Sequence, residues 1–365
     1  MENTTNKFPL YLKFSQIVIG LVSFFFILYI GGDIIVPLIF ATIVAILLNP
    51  FVNVLTRIKC NRVVAILIAV VVAVLVITSI TYFIVSQAAL FSDTWPQFKQ
   101  RFTSLFNDCI NWLSTHLNIS KPKIDAWINK TKSEGMNNST EVIGSVITTF
   151  GGMLILLFLL PVYIFMILFY KPLLLEFIAQ LFKNNEQGLV AEVLTETKTL
   201  IQSYLIGLLL EAAVVAALNS VGLLVLGVQY AVLIGVIGAL LNMIPYIGGL
   251  VAIALPMLMA LATKSPITAL WVFILYIIVQ FIDNNVIVPK IVASKVKINA
   301  LVSIIVVLIG GALWGIAGMF LAIPLTAIIK VIFDRIDQLK PFGFLLGDNQ
   351  PQIGKFNLKK KKKLL

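Results

Sequence analysis

Residues 63–85, "VVAILIAVVVAVLVITSITYFIV", form a run of 23 residues without one charged side chain. As a helix the run would extend about 34 Å at 1.5 Å per residue. A bilayer's hydrocarbon core is about 30 Å thick, so this segment spans a membrane with little to spare. The rest of the chain shares its character. Of 365 residues, 60% are hydrophobic and only 12% are charged, against roughly half and a quarter in a soluble domain. The composition predicts an all-α polytopic membrane protein with about 7–9 membrane segments, some of them broken or re-entrant, plus a small helical extracytoplasmic insert.

Upstream of this run, a first span covers residues 15–30. Gly31, Gly32 and Asp33 turn it into a second, over 34–48, which is expected to end at "NPF". Lys7 and Lys13 precede the first span, but no small-x-small cleavage site follows it, so the segment reads as retained rather than as a signal. Arg57, Lys59 and Arg62 form a basic loop that the positive-inside rule places in the cytoplasm. The N-terminal transmembrane unit is therefore 1–90.

Downstream, 91–142 changes character. Phe91, Trp95, Phe98, Phe102, Leu105, Phe106, Cys109 and Leu113 recur at three- and four-residue steps between charges, the period of an amphipathic helix. A second short helix is expected around Ile124, Trp127 and Ile128. Over 143–200 a fourth span, kinked at Pro161, leads into an interfacial and then a cytoplasmic amphipathic helix. The segment 201–335 is almost continuously apolar and forms the C-terminal transmembrane core. It is interrupted at "LGVQY", "LNMIPYIGG", "IDNNVIVPK" and "IGGALWGIAG". Its last block, 300–333, would extend about 50 Å as one helix, too long for a single crossing. Gly310, Gly311, Gly315 and Gly318 are expected to fold it back as a hairpin. A basic tail, 336–365, completes the chain.

The net charge is +11, and six lysines fall within the final "KFNLKKKKKLL". Beside this many spans, the run predicts a cytoplasmic tail held near anionic lipid rather than a nucleic-acid contact. Both termini are expected in the cytoplasm. Cys60 and Cys109 fall on opposite sides of the membrane in this topology, and a single histidine, His116, gives no multi-histidine metal site.

Motifs for ATP hydrolysis, zinc proteolysis and serine hydrolysis are missing from the sequence. The chain is expected not to be an enzyme and to need no cofactor, so function should rest on the few polar groups at membrane depth. Asp283 is the first, because an ionisable group inside a span costs several kcal/mol unless it faces a cavity or partner. Tyr276, Gln280 and Asp283 fall at i, i+4 and i+7, one stripe on an apolar helix; Asn284, Asn285 and Pro289-Lys290 should close that helix. The alternative is an interfacial carboxylate paired with Lys290. Glu211 is the second candidate, sharing a face with Tyr204 and Asn219; its alternative role is to fix packing between helices.

Residues 240–250, "LLNMIPYIGGL", carry the third feature. Pro245 has no N–H and its ring displaces the carbonyl of Leu241, so the helix must break. Asn242 can serve the freed backbone groups, while Gly248 and Gly249 permit a tight reversal. In lipid such a break must be buried in protein or face a polar cavity. The alternative is a packing kink without a ligand.

"LNMIPYIGGL", "QFIDNNVIVPKI" and "GGALWGIAGMFLAIPL" closely resemble the signature regions of the autoinducer-2 exporter family of bacterial membrane proteins. The likeness is strongest over 204–333 and lies mainly in hydropathy and insert position before that. It implies a secondary transporter in a bacterial inner or plasma membrane, forming homo-oligomers. It also implies export of a small hydrophilic signal or, as in some members, sodium(lithium)/proton antiport. The family's acidic-x-Asn-…-Pro element falls on Asp283, Asn285 and Pro289, and its Asn-x-x-Pro-x-x-Gly element on Asn242, Pro245 and Gly248. Where many members carry an Arg-Gly-Gln-like element, this chain reads "YLIGLLLEAA", and the polar group there is Glu211. A neutral solute would use Asn242, Gln280, Asn285 and Tyr246, whereas a monovalent cation or proton would use Asp283 or Glu211. A non-transporting envelope scaffold built around the insert is the reading from another class.

Overall fold

The computed structural model describes residues 9–117, 139–182, 186–244, 248–293 and 298–349. The sequence expectations for Pro245, Tyr246, the second insert helix and the lysine tail lie outside these residues. In chain order the helices are α1 (Leu10–Ile30), α2 (Gly32–Arg57), α3 (Arg62–Leu117), α4 (Ser139–Gln180) and α5 (Gln187–Val225). They continue as α6 (Ala231–Asn242), α7 (Gly248–Thr263), α8 (Pro266–Ile282), a π-helical segment (Asp283–Ala293), α9 (Ala300–Arg335) and α10 (Lys340–Leu346). Among the described residues, six helical segments are long and apolar enough to cross a membrane, and three shorter ones are apolar. This is an all-α polytopic membrane protein.

Several helices run further than their composition suggested. α2 continues through Pro50 to Arg57 rather than stopping at "NPF". α3 carries the third span and the start of the insert as one rod. α4 passes Pro172 to Gln180, and α5 joins the expected cytoplasmic helix to the following span without a break. A switch from apolar to charged residues marks the edge of the lipid; it does not interrupt backbone hydrogen bonding.

The packing inverts the soluble pattern. Phe14, Phe24, Phe26 and Ile30 on α1 are exposed, as suits a lipid-facing surface. Buried alanines on both helices, Ala41 and Ala45 on α2 and Ala65 and Ala69 on α3, belong to one core cluster with Val52, Ile66, Ile164 and Leu168. Each pair is spaced i, i+4, the small-xxx-small pattern that lets backbones approach where lipid offers no hydrophobic drive. α5 is the hub, packed against α2, α6, α8, the π-helical segment and α9.

α9 is the expected hairpin. Trp314 (φ −137°, ψ 20°) and Gly315 (φ 59°, ψ −141°) leave helical geometry, and the chain reverses there. Gly315 occupies a region that is close to glycine-only. Gly310 and Gly318, one on each arm, touch backbone to backbone, so a Cβ on either would collide with the other's carbonyl. The first arm, 300–313, is only about 21 Å long. At the base, Asn299 caps α9 by accepting from the Val302 N–H at 2.8 Å and donates from Nδ2 to the Leu345 carbonyl at 2.6 Å. At the tip, Trp314 Nε1 donates to the Leu28 carbonyl at 2.8 Å, fixing the hairpin to the end of α1. Trp314→Phe keeps the ring but removes this bond. It should cost about 1 kcal/mol, visible as a lower midpoint of thermal unfolding in detergent.

Candidate functional site

The candidate site forms where α5, α6, α7 and α8 meet. α8 starts cleanly because the Ser265 hydroxyl accepts from the Thr268 N–H at 3.2 Å and Pro266 occupies the first turn, a strong start signal. Its apolar run then carries Tyr276, Gln280 and Asp283 on the face turned toward α6 and α7. α6 ends at Asn242 and α7 begins at Gly248, so the expected break is present. The Gly248 N–H donates to the Ile244 carbonyl at 3.0 Å. A Cβ on Gly248 would strike the Leu241 carbonyl, so only glycine fits this close approach.

The stripe and the break meet in two tiers. Tyr276 and Asn219 both reach Gly238 on α6; a Cβ there would lie 3.1 Å from the tyrosine hydroxyl and 3.7 Å from Asn219 Nδ2. Gln280 and Asn242 both reach Gly249, whose Cβ would lie 2.9 Å from Gln280 Oε1 and 3.3 Å from Asn242 Oδ1. Asp283 closes the second tier. Its carboxylate accepts from Asn242 Nδ2 at 2.8 Å through Oδ2, while Oδ1 has no hydrogen-bond partner among the described residues.

Asp283 is 1% exposed and Glu211, on α5, 7% exposed. The two carboxyls lie within electrostatic reach of one another. Val215, Ala239, Val279 and Ile287 form one buried apolar cluster; Val215 lies four residues from Glu211, and Val279 and Ile287 each lie four from Asp283. Among the described residues no lysine or arginine forms an ion pair with either carboxyl, so the expected alternative of an Asp283–Lys290 pair is not what forms. Asn219 Oδ1 and the Tyr276 hydroxyl are also buried without a hydrogen-bond partner among the described residues. The cluster thus offers buried oxygen atoms, a chemistry suited to a proton or a hard monovalent cation.

The structure separates other expected site residues from this cluster. Asn285 is exposed, and its Nδ2 donates to the Phe281 carbonyl at 2.8 Å on its own helix. Pro289 lies inside the π-helical segment, which runs past Asn284, Asn285 and Pro289-Lys290, where closure was expected, to Ala293. A wider turn is a natural response to a proline ring that would collide with the carbonyl four residues earlier, and such turns cluster at functional sites. Gly310 and Gly311 belong to the α9 hairpin. Gly238, which admits both Tyr276 and Asn219, had no distinguishing mark in the sequence beyond its small size.

A bundle of apolar helices with an interrupted pair, and buried carboxyls at the interruption, defines a membrane transporter. Residues 18–338 match the family model described as AI-2E family transporter, and the chain belongs to that family. It is 26% identical to YhhT of Escherichia coli (strain K12) over 93% of this chain and 95% of YhhT. It is 24% identical to "AI-2 transport protein TqsA" of the same strain over 87% of this chain and 90% of TqsA. YrrI of Bacillus subtilis (strain 168) is 36% identical over 35% of this chain and 36% of YrrI.

Proposed function

We propose that the protein is an ion-coupled secondary transporter in which Asp283, assisted by Glu211, carries the coupling proton or cation. The observation behind this is the Asn242–Asp283 contact at the helix break. A buried carboxylate met by one neutral amide and no cation is costly at membrane depth unless it carries a proton or a bound cation. Two buried carboxyls within electrostatic reach of one another intensify that demand. Proton and cation then compete for one place, which is the elementary requirement of antiport.

The cargo driven by this exchange is proposed to be a small hydrophilic solute moved outward; transport of a solute is supported by the relative named "AI-2 transport protein TqsA". Asn242, Gln280 and Gly249 supply its polar contacts. Exchange of sodium or lithium for protons without an organic cargo is the second reading, and the buried carboxyl pair favours it. Membership of the family supports a multi-pass membrane protein, and a homo-oligomer in a bacterial inner or plasma membrane is part of the same proposal. Its basic end, around Arg57, Lys59, Arg62, Lys171 and Lys198, faces the cytoplasm, as the positive-inside rule requires.

The test uses purified protein in liposomes, with internal pH recorded during sodium or lithium pulses and efflux of labelled autoinducer-2 followed in parallel. Cation-dependent proton movement, with or without solute efflux, is the expected result. Solute flux that ignores both pH and cation gradients would refute ion coupling.

A further inference from the structure

The basic end of the bundle contains a second built site, separate from the Asp283 cluster. A cleft of about 520 Å³ opens between α2, α3 and α4, and its walls include Asn49, Asn53, Cys60, Arg62 and Lys171. Lys171 Nζ donates to Asn49 Oδ1 at 2.9 Å. An ammonium group can only donate, so this contact fixes the orientation of the amide and turns its NH₂ elsewhere. That NH₂ belongs to a side chain only 6% exposed, and it has no hydrogen-bond partner among the described residues.

The charges around it are all of one sign. Arg62 and Lys198 both lie within electrostatic reach of Lys171, and no carboxylate is among the residues that wall the cleft. Arg62 commits Nη2 to the Leu168 carbonyl at 3.1 Å; a guanidinium has five N–H donors in all. Like charges gathered beside a buried donor raise the energy of the site until an anion joins them.

We propose that this cleft binds a phosphate group, held by Lys171, Arg62 and the Asn49 NH₂. Two supports are independent of the transport reading. The donor set is the usual one for a phosphate oxyanion, charged Lys and Arg with a neutral amide. Beside these donors, Val52, Leu168, Pro172 and Leu175 also line the cleft, which suits the glycerol and upper acyl chain of a phospholipid. Basic pockets between helices at a membrane's cytoplasmic face take anionic headgroups in general. An anionic phospholipid is therefore the favoured source of the phosphate, and free phosphate is the other.

Cys60 in the cleft wall supplies a reporter. In a Cys109→Ser background, delipidated full-length protein in detergent is labelled with a maleimide. The labelling rate is measured against added phosphatidylglycerol, phosphatidylcholine or inorganic phosphate, and native mass spectrometry counts retained lipid. Phosphatidylglycerol should protect Cys60, and phosphatidylcholine much less. Lys171→Gln or Arg62→Gln should weaken protection about tenfold, the effect of losing one charge-assisted bond. Lys171→Arg should largely restore it. Asn49→Asp keeps a partner for Lys171, and so the fold, but places a negative charge against the phosphate; it should abolish protection. Protection by inorganic phosphate alone would support the site while assigning the source to free phosphate. Protection by neither, or protection equal in Asn49→Asp, would overturn the proposal.

Discussion

Asp283→Asn is expected to leave the protein folded and monodisperse while reducing coupled flux about 100-fold. The substitution is close to isosteric, and Asn can still accept from Asn242 Nδ2, the bond that now measures 2.8 Å. A purely structural Asp283 would therefore tolerate it. A coupling group would not, because an amide neither releases a proton nor binds a cation with full charge. Charge-assisted contacts contribute about 1.5–3 kcal/mol each, and about 1.4 kcal/mol is a factor of ten, which gives the hundredfold figure for the larger value. Initial rates in liposomes, with wild type and Asp283→Glu alongside, provide the measurement. Transport by Asp283→Asn at the wild-type rate would remove this residue from the mechanism.

The second large effect lies in the α9 hairpin. Gly310→Ala or Gly318→Ala should destabilise the protein by about 3 kcal/mol or more, the upper range for overpacking, because the atom in the way belongs to the opposite backbone. Gly311→Ala, one residue along, should be much milder. There the added methyl meets the thioether end of Met319, which can change rotamer. The comparison is read as the fraction of monodisperse protein after mild heating in detergent. Equal tolerance of all three alanines would mean that the two arms do not press together.

These cases also show what the sequence could convey. The 63–85 run announced the membrane because only an apolar helix satisfies its backbone in lipid. The hairpin followed from length, since 300–333 exceeds one crossing while its glycines permit close contact. The break at 240–250 was legible because glycine and asparagine have few other uses in an apolar helix. Helix continuity was not legible: α5 crosses from a charged to an apolar stretch with its hydrogen bonds intact. Nor was the Asn242–Asp283 bond, which joins residues 41 apart, one at the end of α6 and one at the start of the π-helical segment. Asn285 was grouped with Asp283 through the family's acidic-x-Asn-…-Pro element, but residues two apart on a helix do not share a face, and Asn285 is exposed. The anion cleft left only a faint mark, a lysine and an asparagine inside apolar runs.

The unbroken course of α5 has a mechanical meaning. Near its start, Glu192 and Glu196 grip Arg335 at 2.6 and 2.7 Å, while Glu211 lies in the buried cluster further along. The lever arm between Glu192 and Glu211 is about 28 Å. A tilt of about 10° pivoting at Glu211 would swing Glu192 through roughly 5 Å on that arm, enough to pull the carboxylate off the guanidinium. A tilt of α5 at the core would thus part the Arg335 ion pairs at the surface.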